Sequence, residues 1–232
     1  MSIVQRFAVL ALLLLAPDPT FAAEPAPKPA GPPTWYAQAL TRGEAGLNVT
    51  HFWSKGAMLR AESVVAGHKI VTIVRGDRYY AYDGLTGKGL AIRREPATVA
   101  ADRADQRPFA REYEILIAQG AELVREETML GRRAGIYRVT DDHGRRELWV
   151  TQDAVRIPLR VEVFDRGSGT QRTTDYLNWQ SDLAIPDAFF APDPNAALKE
   201  MDYTEYLRRS SEEGSVGPVP VLYTSLLFKK KD

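Results

Sequence analysis

Between residues 46 and 179, short runs rich in valine, isoleucine, threonine and aromatic side chains are separated by glycine-containing turns at intervals of about ten residues. This is the pattern of an all-antiparallel sheet. Runs at 46–54, 58–65, 68–75, 78–83, 89–93, 121–129, 134–140, 145–151, 158–165 and 172–179 predict about ten strands. Residues 35–40 ahead of them read as a short helix. Strand side chains alternate, so 58–65 puts Leu59, Ala61, Ser63 and Val65 on one face and Met58, Arg60, Glu62 and Val64 on the other. Arg60 and Glu62 are expected to point outward.

One helix is expected to interrupt the strands. Over residues 108–119, Phe109, Tyr113, Leu116 and Ile117 form a single stripe, with Arg111, Glu112 and Glu114 opposite and Pro108 and Gly120 as punctuation. A sheet of this length with so little helix either folds into a sandwich or curls and covers its concave face with the helices. The second solution leaves a cavity. Four tryptophans, ten tyrosines and eight phenylalanines supply enough apolar bulk either to fill a core or to line such a pocket.

The N-terminus reads as an address. Arg6 precedes the apolar run 7–16 (FAVLALLLLA), and Pro17, Asp18 and Pro19 break it before the small residues Ala22 and Ala23, the layout of a signal peptide over residues 1–22. A membrane span needs roughly 20 apolar residues, and this run is too short. Residues 23–33 are proline-rich and read as an extended linker, so a single domain is expected over 34–232, exported to the periplasm and soluble there. Lysine plus arginine and aspartate plus glutamate each number 30, so no overall field draws the chain to nucleic acid. Cysteine is absent, which excludes disulfides, thiol catalysis and cysteine-ligated metal.

Little in the sequence looks catalytic. His51, His68 and His143 are the three histidines, and none pairs with another at metal-ligand spacing. Asp141-Asp142-His143-Gly144 offers acid–base groups, but these residue types between two strands are those a hairpin turn demands. Gly167-Ser168-Gly169 reads as another hairpin, not a nucleophile elbow. The glycine-rich stretch 84–89 precedes a strand where a phosphate loop would precede a helix. Glu126 and Glu127 point to opposite faces of their strand and make no carboxylate dyad. Neither an enzyme nor a cofactor is expected.

The stretch 52–83, FWSKGAMLRAESVVAGHKIVTIVRGDRYYAYD, resembles the early strands of the outer-membrane lipoprotein carrier (LolA-like) family: an arginine-bearing strand, an apolar strand, a glycine turn and an aromatic strand ending in Tyr-Asp. Arg107-Pro108-Phe109 opening the helix, the strand pair around Arg156 and Ile157, and DAFFAPDP at 187–194 are similar to later parts of that family. The resemblance implies a mainly β fold, a curved antiparallel sheet forming an incomplete half-barrel with helices over its concave face. It further implies an apolar cavity for the acyl chains of a lipid or lipoprotein, with no cofactor. By this match Leu59, Ala61, Ser63 and Val65 fall on cavity-facing positions. The place of the arginine by which the family latches its lid is taken by Lys55 and Gly56, and lysine lacks the planar fork. Beyond the family's exit segment the chain continues through 203–207 and an apolar strand expected at 219–228.

The candidate ligand-binding residues are therefore Trp53, Leu59, Ala61, Ser63, Val65, Ile73 and Val161 from the sheet, with Phe109, Tyr113, Leu116 and Ile117 from the lid. The expected partner is a lipid or acylated lipoprotein, handed between inner- and outer-membrane transport proteins by a monomer. A rival class is a sensor or adaptor that binds an envelope protein through Arg60, Glu62, Arg160 and Glu162. A hydrolase is the third, for which no nucleophile, base and orienter can be placed together.

Overall fold

The computed structural model describes residues 31–44, 46–102, 107–212, 214, 216–218 and 224–228. The signal peptide expected at 1–22 and most of the linker expected at 23–33 lie outside the described residues. Twelve strands form one sheet: β1 (Thr34–Gly43), β2 (Gly46–Lys55), β3 (Met58–Val65), β4 (His68–Arg75), β5 (Arg78–Asp83), β6 (Lys88–Arg93), β7 (Glu122–Met129), β8 (Arg132–Asp141), β9 (Gly144–Thr151), β10 (Pro158–Asp165), β11 (Gln171–Ser181) and β12 (Ala197–Asp202). The helices are α1 (Pro96–Asp102), α2 (Glu112–Ala118) and α3 (Tyr203–Glu212).

The spatial order is β12-β6-β5-β4-β3-β2-β1-β11-β10-β9-β8-β7, so consecutive hairpins build two wings that meet where β1 pairs with β11. The end strands β12 and β7 do not pair with each other, and the sheet stays open. Every pairing is antiparallel except β12 with β6, where Ala197 aligns with Lys88 in parallel. Flat, such a sheet would be about 53 Å wide, and sheets of this size curl. Curling brings residues as far apart in strand order as Ile92, Ala37 and Leu148 into one buried cluster on the concave face. The expected half-barrel is the observed architecture.

Three local expectations need correction. Residues 35–40 are not a helix but lie in β1, which pairs with β2 on one side and β11 on the other; that pairing overrides an apolar pattern readable either way. The helix expected over 108–119 starts only at Glu112, because Ala110 sits at φ 52° and turns the chain between Phe109 and α2. Of the apolar strand expected at 219–228, residues 219–223 lie outside the described residues. Thr224–Leu226 is a single 3-10 turn whose Leu226, with Leu227, is buried on the concave side. α1, α3 and β12 had no counterpart in the sequence reading.

That C-terminal segment is pinned by a buried arginine. Arg94 donates to the carbonyls of Leu226 (2.5 Å) and Gly76 (2.8 Å) and forms a buried ion pair with Asp102 of α1. The convex face is covered as well, by the 3-10 turn Asp187–Phe190, whose Phe190 packs on Val71, Ile73 and Tyr82. Covered on both faces, β4 reads as an unbroken apolar run, with residues 70–74 all buried.

The hairpins behave as their residues dictate. The backbone N–H groups of His143 and Gly144 both donate to Asp141 Oδ1, at 2.9 and 3.1 Å, an Asx turn that joins β8 to β9. Gly144 adopts φ 144°, and a Cβ there would lie 1.9 Å from the Phe164 carbonyl oxygen. This cluster is turn chemistry.

Candidate functional site

The concave face is filled at its centre by aromatic rings. Phe109 lies parallel to Phe52, centroids 5.3 Å apart, and parallel to Trp179 on its other side at 5.6 Å. Arg107 stacks over Trp179 and Trp35, at 5.1 and 5.6 Å, and donates to the Ala110 carbonyl at 3.2 Å. Burial pulls its pKa down while the carboxylates of Glu114 and Glu112 oppose that shift. The segment entering α2 is thus clamped between the sheet and its own arginine.

Both ends of α2 are tied to the sheet. At its start the Tyr176 hydroxyl donates to Glu112 Oε1 at 2.6 Å, and just past its end Arg146 Nη1 donates to Gln119 Oε1 at 2.5 Å. Between these ties Leu116 is buried against the sheet. The latch position inferred from the family resemblance plays another part: Lys55 donates to the Ile185 carbonyl (3.0 Å) and to Asp187 Oδ1 (2.6 Å), holding the 3-10 turn on the convex face.

Beside α2 a groove of about 580 Å³ opens between the helix and the concave face of β1, β2, β10 and β11, and its mouth faces solvent. Its size falls within the range of small-molecule sites, about 300–1,000 Å³. The walls change character along the strands. Inward positions run from Ala39 to Thr41 in β1, from Phe52 through Thr50 to Asn48 in β2, from Tyr176 through Thr174 to Arg172 in β11, and from Leu148 to Arg146 in β9. Phe52 and Leu116 make the inner end the more apolar one, beside the Tyr176–Glu112 hydrogen bond, and the mouth adds two arginines on either side of Val163. Four residues of strand separate Tyr176 from Arg172, so the graded stretch is about 13 Å long. The Thr41 and Thr174 hydroxyls bond each other at 3.1 Å, and Ser63 Oγ donates to Asn48 Oδ1 at 2.5 Å. Much of the mid-groove polarity is therefore internally satisfied.

Of the eleven residues singled out from the sequence, the structure brings Val65, Leu116 and Val161 together as walls of the groove. Leu59, Ala61 and Phe109 share the same concave face but are fully buried beneath it. Ser63 is buried and spends its hydroxyl on Asn48 and on the Val49 carbonyl. Tyr113 lies at another side of α2, edge-on to Tyr137 at 5.2 Å. Ile117 points away from the groove and is 41% exposed, whereas its neighbour Ile115 lines it. Trp53 and Ile73 stand on the opposite face: both are cross-strand partners of Arg60, and both pack in the convex cluster. A convex position removes them from any concave site.

Groove residues that the sequence reading missed include Phe52, Thr174, Tyr176 and the two arginines at the mouth. Phe52 was legible, because a two-residue turn at Gly56 and Ala57 sets it directly across from Ala61. The surface considered for a protein partner is occupied internally. Arg60 donates to Glu62 and to the Phe189 carbonyl and covers the Phe189 ring, while Arg160 pairs with Asp175. Burial works against ionisation of Glu62, but hydrogen bonds from Lys69 and Arg60 prevail and hold its pKa below the usual value. Among the described residues no group of three or more His, Asp or Glu side chains could hold a metal ion, and no helix is long and apolar enough to cross a membrane.

The class this geometry defines is an open half-barrel, one curled sheet with a helical cover on its concave face. That fold is shared with an uncharacterized conserved protein from Thermus thermophilus, with a TM-score of 0.52 and 12% identity over 72% of this chain and 90% of the other. Weaker likeness links the chain to the Pseudomonas aeruginosa MucA/MucB complex, with a TM-score of 0.45, 14% identity and 73% and 59% of the two chains covered. The Mycobacterium tuberculosis lipoprotein LppX follows, with a TM-score of 0.38, 8% identity and coverages of 66% and 88%. No family model and no curated protein sequence matches the chain.

Proposed function

We propose that this chain is an exported binding protein, not an enzyme, and that it shields the apolar part of a lipid or an acylated lipoprotein in the groove beside α2. The observation that carries this reading is the gradient of the groove, most apolar around Phe52 and Leu116, mixed where Val161 stands level with Thr174, and charged at the mouth through Arg146 and Arg172. A molecule with a chain at one end and a polar group at the other fits that gradient in one orientation. Each methylene removed from water contributes about 0.8 kcal/mol, so a short chain suffices for useful affinity. Among the described residues the groove wall places no nucleophile beside a base and an orienter, and a binding role requires nothing of the kind.

A second reading, a module that docks on a protein partner, draws on the open end of the β2–β3 hairpin, opposite its turn at Gly56 and Ala57. There Leu47 and Val64 are each 65% exposed on the convex face, with Val49 beside them at 39%. Native mass spectrometry of the mature chain, purified without detergent and then extracted with organic solvent, separates the two. Extra mass that extracts as lipid or lipopeptide is the expected result. A bare polypeptide mass that stays bare after incubation with lipids would overturn the carrier in favour of the module.

A further inference from the structure

Two arginines stand at the mouth of the groove in one cross-strand row. Arg146 of β9 is directly opposite Val163 of β10, and Val163 is directly opposite Arg172 of β11, so all three side chains share the concave face. With strands about 4.8 Å apart, the two arginine backbones are about 10 Å apart, with only the short Val163 side chain between them. Both guanidinium-bearing residues line the groove. Arg172 makes no ion pair among the described residues and is exposed, whereas Arg146 shares its charge with Asp141 and holds Gln119. Of the nearby carboxylates, Glu112 lies in the groove wall, where it accepts from Tyr176, Asp165 accepts from the backbone N–H and hydroxyl of Ser168 in the next turn, and Glu44 shares a neighbouring surface cleft with Arg172.

We infer that Arg146 and Arg172 form a clamp for the anionic head group, phosphate or carboxylate, of an amphiphile whose chain lies in the groove toward Phe52 and Tyr176. This rests on the proposed role of the groove as an acyl site and adds the charge of its ligand. The chemistry favours an oxyanion over a neutral sugar or hydroxyl. Arginine presents several N–H donors in a planar fork that matches such oxygens, and charge-assisted bonds are roughly twice as strong as neutral ones. Position does the rest: the arginines lie where the walls end, so a head group reaches them only if the chain points inward.

Calorimetric titration of the mature chain with dodecyl phosphate, dodecanol and inorganic phosphate, all below micellar concentrations, tests the clamp. The expected order is dodecyl phosphate at least roughly tenfold tighter than dodecanol, with inorganic phosphate weakest. Arg172→Gln is expected to erase most of that preference, read as the ratio of the dodecyl phosphate and dodecanol affinities, in a protein that still melts cooperatively, and Arg172→Lys to restore part of it. Equal affinity for dodecyl phosphate and dodecanol, or a preference that survives the double substitution Arg146→Gln and Arg172→Gln, would overturn the clamp and leave the acyl groove standing. Failure of both chain-bearing probes to bind would overturn the acyl groove itself. Inorganic phosphate binding as tightly as dodecyl phosphate would overturn the amphiphile and leave a bare anion site.

Discussion

Phe109 lies flat against Trp179, centroids 5.6 Å apart and planes 10° apart, although Phe109 precedes α2 and Trp179 belongs to β11. This stack closes the space under the lid segment, and Phe109 is fully buried in it. Phe109→Ala should cost about 3–5 kcal/mol through lost burial and the cavity left behind. For a chain of this size that lowers Tm by on the order of 10 °C in a thermal melt. An unchanged Tm would show that the ring is not part of the folded core.

Leu59 and Val161 sit on the same concave face with different duties. Both are buried in one core cluster, Leu59 wholly, whereas Val161 keeps a small exposed face that forms part of the groove wall. Leu59→Ala is expected to destabilise by about 2–5 kcal/mol without changing lipid affinity once the protein is folded. Val161→Trp should fill the groove and abolish lipid retention, at an overpacking cost of about 1–3 kcal/mol that leaves the protein folded. Lipid retained by a folded Val161→Trp variant would place the ligand elsewhere.

Removing Arg94 strands a buried carboxylate. Its side chain is 1% exposed and holds Asp102, the Leu226 carbonyl and the Gly76 carbonyl at once. Breaking such a pair from one side typically costs about 3–5 kcal/mol. Arg94→Ala should therefore release the segment around Leu226 and Leu227, seen as faster amide exchange there and in α1. Replacing Arg94 and Asp102 together by apolar residues should recover much of the loss.

Acid should act through Asp83. Its pKa falls from 3.8 to about 2, first because the Leu85 backbone N–H donates to it and then because His68 and Thr86 do. A carboxyl whose folded pKa lies below its unfolded value stabilises the fold fully above pH 3.8, and loses that contribution as pH falls through about 2. Asp83→Asn should flatten the acid limb of a stability-against-pH curve in that window and leave the neutral region nearly parallel to wild type. An unchanged limb would mean that the turn bonds do not distinguish the ionised carboxyl.

The strand edges were largely legible: Met58–Val65, His68–Arg75, Arg78–Asp83 and Pro158–Asp165 begin and end where alternation and turn residues place them. Faces within one strand were legible too, since Leu59 and Ala61 are buried on the concave side while Arg60 partners Trp53 across the sheet. Errors arose when faces were carried from strand to strand without counting register. Trp53 and Ile73 are both opposite Arg60, so simple pairing already placed them on the convex side.

Tyr176 and Trp179 illustrate what no alternation rule can supply. Three residues apart, they should face opposite sides, yet both pack into the concave core. Asn178 adopts φ 53°, and the β1–β11 register shifts beside it, between Tyr36 and Gln38. That bulge inserts a residue and returns Trp179 to the inside, beneath Phe109.

By itself the sequence determined the local order of this protein, because strand alternation, turn residues and the burial of Phe109 and Leu116 depend on near neighbours and on apolarity alone. Only the tertiary structure decided which face is concave, where the lid is tied and which residues wall the groove. Those follow from β1 pairing with β11 across the whole chain and from the curl that a twelve-stranded open sheet must adopt to bury its inner face. Arg146 and Arg172 share a row through the β9–β10–β11 hairpins, but β1 and β2, the groove walls beyond Arg172, come next to them only through the β1–β11 pairing, and nothing in the local sequence of the two arginines distinguishes them from those that face solvent.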